Sequence, residues 1–305
     1  MNSSRRLIRP FALAGAVLAV ALSLSSCAKD ATVSADPVAQ TTVVSSDATS
    51  APDPAVPGDG IEIPTGPNDE VLKVETGLGG FRTFQATFAE VPSILVTGDG
   101  RVFTEGPVSA VFPGPFLPNI QVARVDPEVL RRLMGAANNA GLLGEIPDYS
   151  VGRPPVTDVG STALTLVANG KTYVHDAYAL GMEQGDAPAR KALKDFIESA
   201  RTALTALPSE RFLPATYLLA TRDAGISTDS TVDPTSGEPQ PRLQLWPGDI
   251  GVDLKDLTCA PVEASKVQAL FGKADQMTYF FQDSGVYSLA VRPVLPGQPG
   301  CESLQ

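Results

Sequence analysis

Ala163-Leu164-Thr165-Leu166-Val167-Ala168-Asn169-Gly170-Lys171-Thr172-Tyr173-Val174-His175-Asp176-Ala177-Tyr178 reads as two strands around a two-residue turn. Asn-Gly suits a tight hairpin because both of its residues tolerate the left-handed backbone that such turns require. Working outward, the same kind of signal recurs on both sides. Ser93 to Phe103 is a hairpin centred on Asp99-Gly100, and Thr278–Phe281 and Val286–Val291 flank Asp283-Ser284-Gly285. Further strands are expected at Phe84–Phe88, Tyr217–Arg222 and Leu243–Trp246.

Helix signals lie between these hairpins. Asp126 can cap a helix that has Pro127 at its first position, with Val129, Leu130, Leu133, Met134 and Ala137 on one stripe and Gly141 to end it. A second helix is expected from Ala187 to Leu204, with Leu193, Phe196, Ile197, Ala200 and Leu204 sharing a face. A third runs from about Val262 to Phe271, with Val267, Leu270 and Phe271 inward. Antiparallel hairpins with intervening helices, and no strict βα alternation, predict an α+β fold. The order strands, helix, hairpin occurs twice, which suggests two related subdomains at 71–207 and 208–305. One continuous domain is the competing arrangement.

The N-terminal region is a different material. Arg5, Arg6 and Arg9 precede the apolar stretch Phe11–Leu24, which is short for a membrane span and has the order of a secretory signal. It ends in Leu24-Ser25-Ser26-Cys27, which resembles the lipobox of bacterial lipoprotein precursors. The resemblance implies removal of residues 1–26 and lipidation of Cys27, with palmitate-type acyl chains holding the protein at the outer face of the cell membrane. Residues 27–70 then form a tether. It contains Thr41-Thr42-Val43-Val44-Ser45-Ser46 and the Pro- and Gly-rich run Ala51–Gly60, without an aromatic residue, and is expected to be disordered. The lipobox, the tether and the segment Pro113-Gly114-Pro115-Phe116-Leu117-Pro118 together resemble secreted lipoproteins of high-GC Gram-positive bacteria. That likeness implies export and anchoring but no particular activity.

Charge narrows the partners. The full chain carries a net charge of -11; losing residues 1–26 removes three arginines and no acid, giving -14. Such a chain lacks the basic face that nucleic acid requires and gains nothing from anionic lipid, so the membrane partner is reached through the anchor. Two cysteines remain beyond Cys27. Cys259 and Cys301 are expected to form a disulfide across 42 positions, as exported chains with two cysteines do.

Catalytic and metal motifs are missing. There is no Gly-x-Ser-x-Gly, His-Glu-x-x-His or phosphate-cradling glycine pattern, and His175 is the sole histidine. On a strand His175 shares a face with Tyr173 and Ala177 and points away from Asp176, so the two neighbours form no acid–base pair. Asp249, Asp253 and Asp256 do not follow calcium-loop spacing, and Lys255 lies among them. No cofactor or metal is expected. The Arg222–Pro241 segment, acidic and without an apolar pattern, is either a partner-binding loop or disordered. Phe112 and Phe116 in the proline-stiffened Val111–Asn119 segment, with Tyr173, His175, Tyr178 and Trp246, are the candidate binding residues. The preferred reading is a non-catalytic binding role toward a cell-envelope protein or ligand. A carboxylate-based hydrolase acting on envelope material, and a structural or inhibitory module, are the alternatives.

Overall fold

A computed structural model describes residues 60–79, 82–226 and 240–304. The signal segment, Cys27 and the tether up to residue 59 lie outside the described residues, as does most of the Arg222–Pro241 segment. The described residues belong to one compact unit. They form an α+β fold with two sheets.

The first sheet has seven strands: β1 (Glu70–Leu78), β2 (Ile94–Thr97), β3 (Arg101–Glu105), β4 (Ile120–Arg124), β5 (Ser161–Ala168), β6 (Lys171–Tyr178) and β7 (Ser209–Arg211). Their order is β6-β5-β1-β2-β3-β4-β7, and every pair is antiparallel. The second sheet contains β8 (Thr216–Asp223), β9 (Arg242–Leu245), β10 (Ala260–Glu263), β11 (Thr278–Gln282) and β12 (Gly285–Pro293), ordered β10-β8-β12-β11-β9. Among the described residues only β9 and β11 pair in parallel.

The Asn169-Gly170 turn forms as the sequence predicts, with φ of 53° and 67° at its two residues. It has a second use. Asn169 Oδ1 accepts from the Glu62 amide at 2.8 Å, and the Asn169 amide donates to the Glu62 carbonyl at 2.8 Å. Ile61 and Ile63 pack on the first core. Residues 61–63, within the expected tether, are therefore held on the fold, because the turn supplies a partner for that backbone.

Two helices cover one face of the first sheet. In α2 (Pro127–Asn139) the Asp126 carboxylate accepts from the Glu128 amide at 2.8 Å, and Leu130, Leu133, Met134 and Ala137 are buried. In α3 (Pro188–Thr205) the buried stripe is Leu193, Phe196, Ile197, Ala200 and Leu204. They meet Leu72, Val74, Ile94, Val96, Leu164 and Leu166 in one core. The opposite face of the sheet, at Leu95, Phe103 and Ile120, is covered by Phe212 and by Leu295 from the C-terminal segment. The third helix, α4 (Ala264–Phe271), places Val267 and Phe271 on the second sheet. There Phe271 lies 5.1 to 6.4 Å from the rings of Phe116, Tyr217, Trp246 and Phe280. Aromatic pairs in this range contribute about 0.5–1.5 kcal/mol beyond their burial.

Three expectations change. Phe84–Phe88 is not a strand but a short helix, α1 (Phe84–Phe88), capped by Thr83, whose Oγ1 accepts from the Ala86 amide at 3.2 Å. A spacing of four puts Phe84 and Phe88 on one side of either element, so the apolar pattern alone does not choose between them. β1 and β4 carry no strand signal that the turn chemistry exposes. β1 alternates Leu72 and Val74 with Lys73 and Glu75, and Lys73 bridges Glu70 and Glu75 at 3.5 and 3.3 Å on a central strand. Finally, the two sheets are not copies. The β5–β6 hairpin joins its sheet through its first strand alone, next to β1, whereas the β11–β12 hairpin is flanked on both sides, by β9 beside β11 and by β8 beside β12.

The layers also exchange pieces. β7, after Pro208, pairs with β4 of the first sheet, while α1 and Phe116 from the first half pack on the second. Cys259 and Cys301 are bonded, with Cα atoms 5.6 Å apart.

Candidate functional site

The exchange creates a cleft of about 430 Å³. Its floor is a gap in the second sheet. β11 and β12 pair only from Phe280–Gln282 to Gly285–Tyr287, so β12 runs on without that partner along Ser288–Val291 while its other edge stays paired with β8. The alternation of an antiparallel ladder turns the main-chain groups of Leu289 and Val291 toward this gap. One wall is α1, through Thr83, Gln85, Ala86 and Ala89. The other is Pro115, Phe116 and Gln276.

Each wall is fixed by polar contacts. Gln85 Nε2 donates to Ser288 Oγ across the floor. The Gly114 amide donates to Gln276 Oε1 at 3.1 Å, and the Gln276 amide donates to the Gly114 carbonyl at 3.1 Å. Asp275 holds the rim. Burial pushes its carboxyl up, but hydrogen bonds from Thr278 Oγ1 and the Met277 amide, both 3.0 Å, and the Arg242 guanidinium at 3.2 Å outweigh this and leave it below the usual carboxylate range. It stays ionised and keeps Thr278 in place. The cleft lining combines amide, hydroxyl, aromatic and aliphatic groups, with neither an acidic nor a basic side chain. Its size lies within the range of small-ligand sites.

The candidate binding residues do not converge. Phe116 lines the cleft and stacks on Phe271 and Phe280 at 5.1 and 5.6 Å. Phe112, four residues earlier, is exposed. Tyr178 lines a separate shallow depression of about 410 Å³ with Asp148, Arg153, Val174 and Asp176. Its hydroxyl donates to the Val156 carbonyl at 3.0 Å, and Arg153 lies over its ring at 4.4 Å. Tyr173 packs against the first core. Trp246 is 2 % exposed and its indole donates to the Val252 carbonyl at 2.8 Å. His175 is wholly buried. Trp246 and His175 thus present no face to a ligand, a correction that follows from burial and satisfied hydrogen bonds.

Gln85, Gln276 and Ser288, which shape the cleft, carry no sequence signal. Gln85 sits in a segment that reads as a strand, and the other two become neighbours only through the fold.

His175 instead braces the long connection between α2 and β5. Its Nε2–H donates to the Leu142 carbonyl at 2.9 Å, which leaves Nδ1 to accept from the Tyr149 hydroxyl at 2.7 Å. Burial raises the Tyr149 phenol to about 12, so it remains a donor. Burial also pushes the His175 imidazole below the ordinary value of 6.5, against an opposing pull from the Leu142 carbonyl. The unfolded chain therefore takes up the proton first as pH falls. The stabilisation from neutral His175 is complete above the unfolded value and is lost as pH falls through it toward the folded one. Urea midpoints are expected to fall between about pH 7.5 and about pH 5.5. In His175→Gln stability is lower at both pH values and the slope between them flattens. An equal slope in both proteins would contradict this assignment.

No protein-family model matches the chain, and no curated protein or solved structure is significantly similar to it.

Proposed function

We propose that this protein is a lipid-anchored cell-envelope protein whose folded domain binds a small uncharged ligand without transforming it. The observation that carries the binding role is the neutral lining of the β11–β12 cleft in a chain with 34 acidic residues. A charged ligand would enter it without a counter-charge, whereas an uncharged one can bond to Gln85, Gln276 and the β12 main chain and lay an apolar side on Phe116. The anchoring role is supported by Arg5, Arg6 and Arg9, the apolar Phe11–Leu24 stretch and Cys27. Anchoring at the outer face of the membrane would hold the cleft among envelope components.

Two measurements test the two halves separately. Cells fed an alkyne-tagged fatty acid are expected to label the wild-type protein and not Cys27→Ser; equal labelling of both would remove the anchor. For the cleft, a photocrosslinking residue at Gln276 is expected to capture a small adduct in living cells. The same residue at Arg131, on the exposed side of α2, is expected to capture none. Filling the floor with Ser288→Leu is expected to reduce capture at position 276 about tenfold or more. Identical adducts at both positions, or capture unchanged by Ser288→Leu, would defeat the cleft as a binding site.

A further inference from the structure

The segment between β3 and β4 changes character at Gly114. From there on it is built into the cleft. Before it, residues 107–113 form a tip held at its base, where the Gly106 amide donates to the Asn119 carbonyl at 2.7 Å and Asn119 Nδ2 donates to the Pro107 carbonyl at 2.9 Å. The other end of the tip is clamped by the Gly114–Gln276 pair. Between these clamps Val108, Val111 and Phe112 are 62, 66 and 64 % exposed. No charged side chain occurs from Gly106 to Ala123.

We propose that this tip is a membrane-contact site, with Val108, Val111 and Phe112 entering the acyl boundary of a lipid bilayer. Three exposed apolar side chains within five positions are costly in water and call for an apolar partner. A seven-residue tip is too small for a stable protein interface, which needs about 800 Å² on each side and a polar rim. A bilayer closes around a small exposed tip and asks for no rim. The uncharged sequence avoids the penalty of carrying an ion into lipid. The strongly acidic chain gives the contact a signature: it favours zwitterionic over anionic lipid.

This inference rests on the anchored reading for its supply of membrane. Gly60 lies 33 positions beyond Cys27, a span of at most about 115 Å. Within that radius the tip meets lipid at a high effective concentration, so a contact too weak to hold a free protein suffices. Because Gly114 clamps Gln276, docking of the tip sets the cleft beside the bilayer surface.

The test is Phe112→Trp in the full chain, mixed or reconstituted with phosphatidylcholine vesicles carrying brominated acyl chains. Trp246, buried in the second core, gives a constant background. Emission from position 112 is expected to shift to the blue and be quenched. A Phe112→Trp chain that also carries Val108→Asp and Val111→Asp is expected to lose the quenching and to partition about tenfold less or weaker. Phosphatidylglycerol vesicles are expected to quench less. An unquenched position 112 in protein that carries its acyl chains would overturn the membrane contact and leave the anchor standing. Absence of acyl labelling would remove the anchor and leave the vesicle result to judge the tip. A shift produced by envelope protein extract and not by lipid would assign the tip to a protein partner and likewise overturn the proposal.

Discussion

Arg190→Ala is expected to destabilise the fold by about 3–5 kcal/mol. Arg190 lies in the first turn of α3 and is 1 % exposed. Its guanidinium donates to three main-chain carbonyls: Nη1 to Tyr149 at 2.9 Å, and Nη2 to Tyr178 at 2.7 Å and to Ala179 at 3.0 Å. Glu183 stands 3.4 Å from Nε. Burial pushes the Glu183 carboxyl up, but hydrogen bonds from the Gly181 amide and its own amide, with the nearby Arg190 and Lys194 charges, bring it below the usual range. Truncation removes a donor from three carbonyls, of which that of Ala179 keeps the Met182 amide at 3.2 Å, and leaves Glu183 without its cation; a buried carbonyl left without a donor costs about 1–3 kcal/mol. The total is a large part of the about 5–15 kcal/mol that ordinarily holds a domain together.

Arg190→Lys is the informative companion. One ammonium cannot reproduce a planar fork that reaches carbonyls on two sides, so a loss of about 1–3 kcal/mol is expected to remain. The connection around Tyr149 should then open first, and chymotrypsin should cut after Tyr149, buried in the native fold, faster than in wild type while the rest of the chain resists. Urea denaturation and limited proteolysis measure both. If Arg190→Ala stays within about 1 kcal/mol of wild type, the guanidinium is not the pin described here.

Breaking the Cys259–Cys301 bond is the second large effect. For a closed loop spanning 42 positions, the chain-entropy relation gives about 4 kcal/mol, and measured losses generally fall between about 2 and 4. The bond also secures a working piece of the fold. Between β12 and Cys301 the chain lays Leu295 against Leu95 and Phe103, and Gln298 Nε2 donates to Glu70 Oε2 at 3.1 Å on β1. A chain with both Cys259→Ala and Cys301→Ala is therefore expected to melt about 5–15 °C lower, with hydrogen exchange rising first at Val294–Gly300 and then along β2. Reductant should lower the melting point of the wild type by a similar amount and leave the double variant unchanged. A wild type indifferent to reductant would show that the C-terminal segment is held by its packing alone.

The candidate site was much less legible in the sequence than the fold. Phe116 was visible as an aromatic that needed burial, but its neighbours in the cleft come from α1, from the turn before β11 and from β12. Contacts so far apart in the chain leave no local pattern. Arg190 is a different case: on a helical wheel it continues the apolar stripe of Leu193, Ile197, Ala200 and Leu204, so its burial is legible in the spacing but its partners are not. A second hint is a cation in the first turn of a helix, where the macrodipole disfavours it. Such a placement calls for a specific acceptor, and the acceptors lie at Tyr149 in the α2–β5 connection and at the end of β6.

Local patterns along the chain suffice for the three hairpins, the three longer helices, the α+β class and the pairing of the two late cysteines. Most depend on short-range chemistry: left-handed turns at Asn169-Gly170, a carboxylate cap at Asp126 and apolar periodicity along α2 and α3; the cysteine pairing follows from setting Cys27 apart as the expected lipidation site. The tertiary structure alone decided that Phe84–Phe88 is a helix, since a four-residue spacing serves both periods and Thr83 capping with packing on β12 breaks the tie. It alone decided which aromatic residues are core and which are exposed, because burial depends on what lies across the sheet. It also made the cleft, which exists only because β11 and β12 part company where α1 and Phe116 arrive from the other half of the chain.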